Sequence, residues 1–253
     1  MRSTHRPRPP TRPRTLFPRL TRAAIVGAAI VAPLAFSLDA AQAAGEFHAR
    51  LVGYESLRPS ALASAAATDR HLYTLREFDP LVQAKYNTIS ADPEKDLTIA
   101  IYGPGDNAFG QGAVIRLAGG RAVPATVVVP SGVPVFFRND DPFVHHLIGP
   151  DVERDLKPGE SHKIAPKAKG VTTFTDTLTP SVKAWVVVED GVIANRWAGL
   201  DGAVKIQLEG NEYTFKAFFE GNAKATVPNF KVPDKGSADA KDIVVAPPVG
   251  SGK

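Results

Sequence analysis

The chain has 253 residues, 30 of them lysine or arginine and 26 aspartate or glutamate, for a formal net charge of +4. It has no cysteine and a single methionine, Met1, which excludes disulfide staples and any metal centre that needs a thiolate.

The first 22 residues carry seven arginines and no acid, and residues 23–38, AAIVGAAIVAPLAFSL, form an uninterrupted apolar run that leads into Ala41, Gln42 and Ala43. A basic segment, an apolar segment and a small-residue cleavage site in that order predict a secretory signal peptide over residues 1–43. Without an Arg-Arg pair the general export route is expected, and without a cysteine there is no lipoprotein anchor. An uncleaved signal anchor is the alternative, because the apolar run approaches the lower length limit for crossing a bilayer. Cleavage removes seven basic residues and one acid, Asp39, leaving 23 basic and 25 acidic residues and a net charge of −2. The basic character therefore belongs to the export signal, and no nucleic-acid partner is expected. An exported chain without cysteines must be stabilised by burial alone, and the remaining 210 residues are enough for a sizeable core.

Residues 44–96 read as an N-terminal extension packed on the segments that follow, with a stretch over 61–78 able to form a helix. From residue 97 short β-rich runs alternate with Pro/Gly turns, the pattern of an antiparallel sandwich or barrel. The runs are LTIAIYG (97–103), GAVIRLA (112–118), ATVVVP (125–130), VPVFFRN (133–139), SHKIAP (161–166), VTTFTD (171–176) and VKAWVVVED (182–190). The last is apolar on both faces, as a central strand is. The glycine-rich stretch at 103–110 fits neither a dinucleotide fingerprint nor a phosphate loop and reads as a connection.

After Gly191 the pattern becomes a half-buried alternation. Val204, Ile206 and Leu208 alternate with Lys205, Gln207 and Glu209; Tyr213, Phe215, Ala217 and Phe219 lie opposite Glu212, Lys216 and Glu220. With Gly210 and Asn211 between them, these runs predict a two-stranded hairpin over 191–232 packed on the sandwich. Trp197, beside Arg196 in a predicted loop, is a candidate anchor for a partner. The tail over 233–253 has no usable periodicity beyond a short run at 243–245 and is expected to be mobile.

One loop concentrates the candidate chemistry. A strand VPVFFRN runs into DDPFVHHLIG, then a turn over 156–160, then GVTTFT from Gly170. This order resembles the cupredoxins, the blue-copper proteins similar to plastocyanin, over residues 97–190. The resemblance implies an all-β, antiparallel Greek-key β-sandwich. It places His145 at the family's first imidazole ligand and Asp176 at the position of its cysteine. The set then fails for blue copper, which needs a His₂Cys trigonal site and a weak axial ligand. Residues 201–217 also resemble part of the modules related to the carboxypeptidase regulatory domain, which implies a non-catalytic, adhesive or scaffolding role.

Another metal remains chemically open. His145, His146 and Asp176, with Asp140 and Asp141 nearby, offer nitrogen and oxygen donors that suit copper(II) or zinc. Neighbouring residues of an extended segment point in opposite directions, so both imidazoles reach one ion only if the loop bends sharply. Asp140 and Asp141 precede Pro142 and read as turn residues. If the framework holds, Asp176 shares one end of the sandwich with His145, either paired with an imidazole, hydrogen-bonded to loop amides, or exposed. No nucleophile–base set or cofactor motif is present, so no enzyme is expected. The resulting expectation is a periplasmic or secreted, non-enzymatic binding or structural module without cofactor. Its partner would be a protein or a cell-envelope component, with no stable membrane insertion after signal cleavage. The alternative is a copper- or zinc-handling protein that uses His145 and His146 in a non-blue site.

Overall fold

The computed structural model describes residues 44–58 and 91–246. The expected signal peptide and the helical stretch over 61–78 lie outside the described residues. The described residues run from β1 (Ala44–Val52) and a 3₁₀ turn at Tyr54–Ser56 to β2 (Leu97–Tyr102), β3 (Ala113–Ala118), β4 (Arg121–Val123) and β5 (Thr126–Val129). They continue through β6 (Val135–Asn139), β7 (His145–Gly149), β8 (Val152–Leu156), β9 (Ser161–Ile164), β10 (Gly170–Asp176) and β11 (Lys183–Val188). They end with β12 (Val192–Arg196), β13 (Ala203–Glu209), β14 (Asn211–Phe219), β15 (Asn222–Val232) and β16 (Ser237–Val244). No α-helix occurs among the described residues.

The strands form four sheets, ordered β4-β3-β6-β9, β5-β11-β10-β7-β8, β12-β2-β14-β15 and β13-β1-β16. Most neighbours are antiparallel; β3/β6, β5/β11 and β1/β16 are parallel. The first two sheets enclose one core, built on Ile115, Leu117, Phe137, Leu147, Phe174 and Val186. The other two enclose a second, built on Phe47, Ile99, Ile206 and Phe215. There the Phe47 and Phe215 rings stack with centroids 3.8 Å apart, and Phe230 meets Phe47 edge-on at 5.0 Å.

The two sandwiches meet back to back. Ala100 of β2, Val128 of β5, Val187 of β11, Val192 of β12 and Phe218 of β14 form a buried cluster of their own between the inner sheets. This explains the strands that read as apolar on both faces. In β11, Ala184, Val186 and Val188 serve the first core while Val187 serves the contact between sandwiches. In β2, Leu97, Ile99 and Ile101 face the second core and Ala100 faces the first sandwich.

Several expected boundaries change as a result. The run at 97–103 belongs to the second sandwich, not the first. β13 and β14 are not a hairpin pair: β13 pairs with β1, and β14 pairs with β2 and β15. Their apolar faces meet across a core, which buries both more completely than side-by-side pairing over a shared surface. The segment 44–52, read as an extension, is the central strand of the outer sheet. The tail expected to be mobile supplies β16, parallel to β1, with Ile243 and Val245 buried in the second core.

A candidate site at the end of the first sandwich

Asn139, the last residue of β6, organises the loop that follows. Its side chain is fully buried. Its amide nitrogen donates to the carbonyls of Phe143 and Leu156, both at 2.8 Å, and its Oδ1 accepts the amide of Asp141 at 2.8 Å. Its backbone carbonyl accepts the Gly159 amide at 2.8 Å. One side chain thus fixes the turn over 140–144 against the end of β8.

Asp141 faces the turn between β3 and β4. Its carboxylate accepts the amides of Gly119 at 2.6 Å and Gly120 at 2.9 Å. Both glycines have positive φ, 62° and 68°, a conformation costly for residues with a Cβ. Burial opposes the Asp141 charge, yet the two glycine amides and the His145 ring together hold its carboxyl below the usual carboxylate range.

The expected loop at 145–149 is instead strand β7, paired with β8 and touching the end of β10. Strand alternation sends His145 and Leu147 into the core and leaves His146 and Ile148 on the opposite face. The His145 side chain has no solvent exposure. Its Nδ1 contacts Oδ2 of Asp176, and its Nε2 lies 3.1 Å from Oδ2 of Asp141. The Phe143 ring covers it at a centroid distance of 4.9 Å.

Asp176, at the end of β10, is also shielded from solvent. Its Oδ1 accepts the amides of His146 at 3.2 Å, Leu178 at 2.7 Å and Thr179 at 3.0 Å. Two of the three arrangements expected for this carboxylate, imidazole contact and loop-amide bonding, therefore occur together. Each ring nitrogen of His145 thus faces a carboxylate oxygen. The result is a carboxylate–imidazole–carboxylate clamp that joins the β3–β4, β6–β7 and β10–β11 connections.

His146 stands apart from this clamp. Its Nδ1 lies 2.5 Å from Oδ1 of Asp155 and its Nε2 3.7 Å from Glu153, on the outer face of the sheet. The hydrogen bond that its ring donates to Asp155, opposed by partial burial and aided by the charges of Asp155 and Glu153, raises its pKa above the ordinary histidine value. Asp140 is bound by Arg116 and Arg138, the latter at 2.7 Å.

The residues His145, His146 and Asp176 are thus not assembled as one ligand set. β7 runs straight through both histidines, so the sharp bend that would bring the two rings together is missing. Asp141 and Asp176 sit at opposite nitrogens of His145 and cannot share an ion with it through those contacts. Among the described residues no group of three His, Cys, Asp or Glu side chains is arranged to hold a metal ion. The donors do not fit blue copper, which needs a thiolate. From the sequence Asn139 reads as a strand end and Asp141 as a turn residue or a nearby oxygen donor; their roles in holding the loop and the His145 ring appear only in the structure.

No protein-family model matches the chain, and no curated protein matches it. Among solved structures, a copper-containing nitrite reductase from Thermus scotoductus SA-01 is similar at 21% identity and a TM-score of 0.30, over 35% of this chain and 27% of that one. The chain therefore spans about a quarter of that protein's length. A purple cupredoxin from Nitrosopumilus maritimus is similar at 21% identity and a TM-score of 0.28, over 30% of this chain and 99% of its own. An amicyanin from Paracoccus versutus is similar at 15% identity and a TM-score of 0.30, over 38% of this chain and 99% of its own.

Proposed function

We propose that the chain is an exported, non-catalytic cupredoxin-like module, binding or structural in role, in which the Asp141–His145–Asp176 clamp ties together the loops that a metal ion ties in copper-bearing cupredoxins. The observation that carries this reading is a fully buried His145 whose two ring nitrogens both face carboxylates. A ring held in this way has no free nitrogen to bind a metal or to shuttle a proton. The second sandwich, whose β13 and β14 carry the resemblance to regulatory-domain modules, supports a scaffolding role. Trp197, 43% exposed on the connection after β12, and Leu200, 69% exposed beside it, suit contact with a protein or cell-envelope partner.

Metal analysis of protein purified without a histidine tag tests the proposal. Copper and zinc well below one equivalent are expected, with no gain on dialysis against either ion. Stoichiometric metal that disappears in the His145→Ala variant would overturn it.

A further inference from the structure

A second site lies away from the clamp, where the first sandwich is open along one side. β8 ends one sheet and β9 ends the other, and between these two edges lies a cleft of about 610 Å³. That volume is within the range of small-molecule pockets, roughly 300–1,000 Å³. Phe174 forms its floor, with Val152 and Ile164 half-buried on its walls.

The polar groups in the cleft distinguish it from a packing defect. His162 and Thr172 both line it and are half-buried. Among the described residues, neither the His162 ring nor the Thr172 hydroxyl has a hydrogen-bond partner. Half-buried and without a protein partner, these two groups open to the cleft and are free to meet a ligand. Lys167 lines the same cleft, opposed by one acid, Asp151, while the Lys163 ammonium turns to the outer face, over the Phe136 ring. Arg154 of β8 lies close enough to act on the His162 ring. The charge around the opening is therefore predominantly positive.

A strand from another chain is a poorer occupant. β8 presents Glu153, Arg154 and Asp155 to solvent, and charged edge residues oppose strand addition. We propose that the cleft binds a small amphipathic carboxylate, its apolar body on Phe174, Val152 and Ile164 and its carboxylate toward His162 and Lys167. This goes beyond the clamp proposal and does not depend on it.

Binding also has a defined pH dependence. Burial, then the charge of Arg154, holds His162 below the ordinary histidine value. A bound carboxylate would favour the protonated ring, so affinity rises as the pH falls through the His162 titration. Asp151 opposes the ligand charge, while Lys167 and Arg154 stay positive throughout.

The test is a titration of the full chain with octanoate, followed by amide NMR shifts and calorimetry, with octanol and octylamine as controls. Saturable one-to-one binding is expected, with shifts confined to residues 150–152, 162–168 and 172–174. Octanol should bind about tenfold more weakly, a difference of about 1.4 kcal/mol, and octylamine more weakly still. Lys167→Glu should weaken octanoate, and Ile164→Trp should fill the cleft and abolish binding. His162→Phe, a milder change, should remove the pH dependence even if Ile164→Trp fails to fold. No saturable binding, equal binding of octanol and octanoate, or pH dependence that survives His162→Phe would overturn the proposal.

Discussion

Nδ1 of His145 meets Oδ2 of Asp176 at a point that solvent does not reach, and the two residues are 31 positions apart in sequence. A buried carboxylate without partners is strongly disfavoured. Asp176 avoids that cost through the ring of His145 and the amides of His146, Leu178 and Thr179. The arrangement links the ends of β7 and β10 through side chains and loop amides, in a chain that has no cysteine to supply a disulfide.

The Asp141 carboxylate should hold the β3–β4 turn in place. Asp141→Ala removes both glycine amide contacts and one face of His145, and should lower stability by about 2–3 kcal/mol at neutral pH. Because its folded-state pKa is lowered, the Asp141 contribution is present above the ordinary carboxyl pKa and is lost as the pH falls through the lowered value. Urea denaturation at neutral pH and at about pH 3 should therefore show a smaller difference between wild type and variant in acid. An equal difference at both would contradict this assignment.

His146 should titrate above the ordinary histidine value, because of Asp155. Its stabilising contact is then complete below the ordinary value and is lost as the pH rises through the raised one. NMR titration of the ring should give a midpoint that falls in Asp155→Asn. A midpoint unmoved by that substitution would show that the outer-face pair does not form in solution.

Much of the first sandwich was legible because alternation reports a strand whose two faces have different surroundings. Ala113, Ile115 and Leu117 are buried while Val114 and Arg116 are not, and the run was read correctly. Pairing between distant strands leaves no such mark. β13 and β14 each show one apolar face, and a turn-like Gly-Asn between them suggested a hairpin; nothing local reveals that β1 and β2 take their places as neighbours. β16 was missed because it lies at a sheet edge, with few buried positions besides Ile243. At the site, the position of Asp176 beside His145 followed from the cupredoxin resemblance. Asp141 did not, because a turn aspartate and a clamping aspartate look the same until β3 and β4 bring Gly119 and Gly120 to it.

The C-terminal strand should be integral to the second core. Ile243→Ala should cost about 2–5 kcal/mol, and a chain ending at Gly236 should lose cooperative unfolding of the second sandwich in thermal or denaturant melts. Truncation that leaves the unfolding midpoint unchanged would restore the tail to a mobile appendage.

The most direct test of the clamp is a double-mutant cycle between His145→Gln and Asp176→Asn, followed by equilibrium denaturation with and without a chelator. Each single variant should lose about 3–5 kcal/mol, the typical cost of breaking a buried pair. The double variant should lose less than the two together, by an interaction of about 1–3 kcal/mol, and the wild-type midpoint should not move with chelator. Additive losses, or a wild-type midpoint that falls when metal is removed, would contradict the clamp.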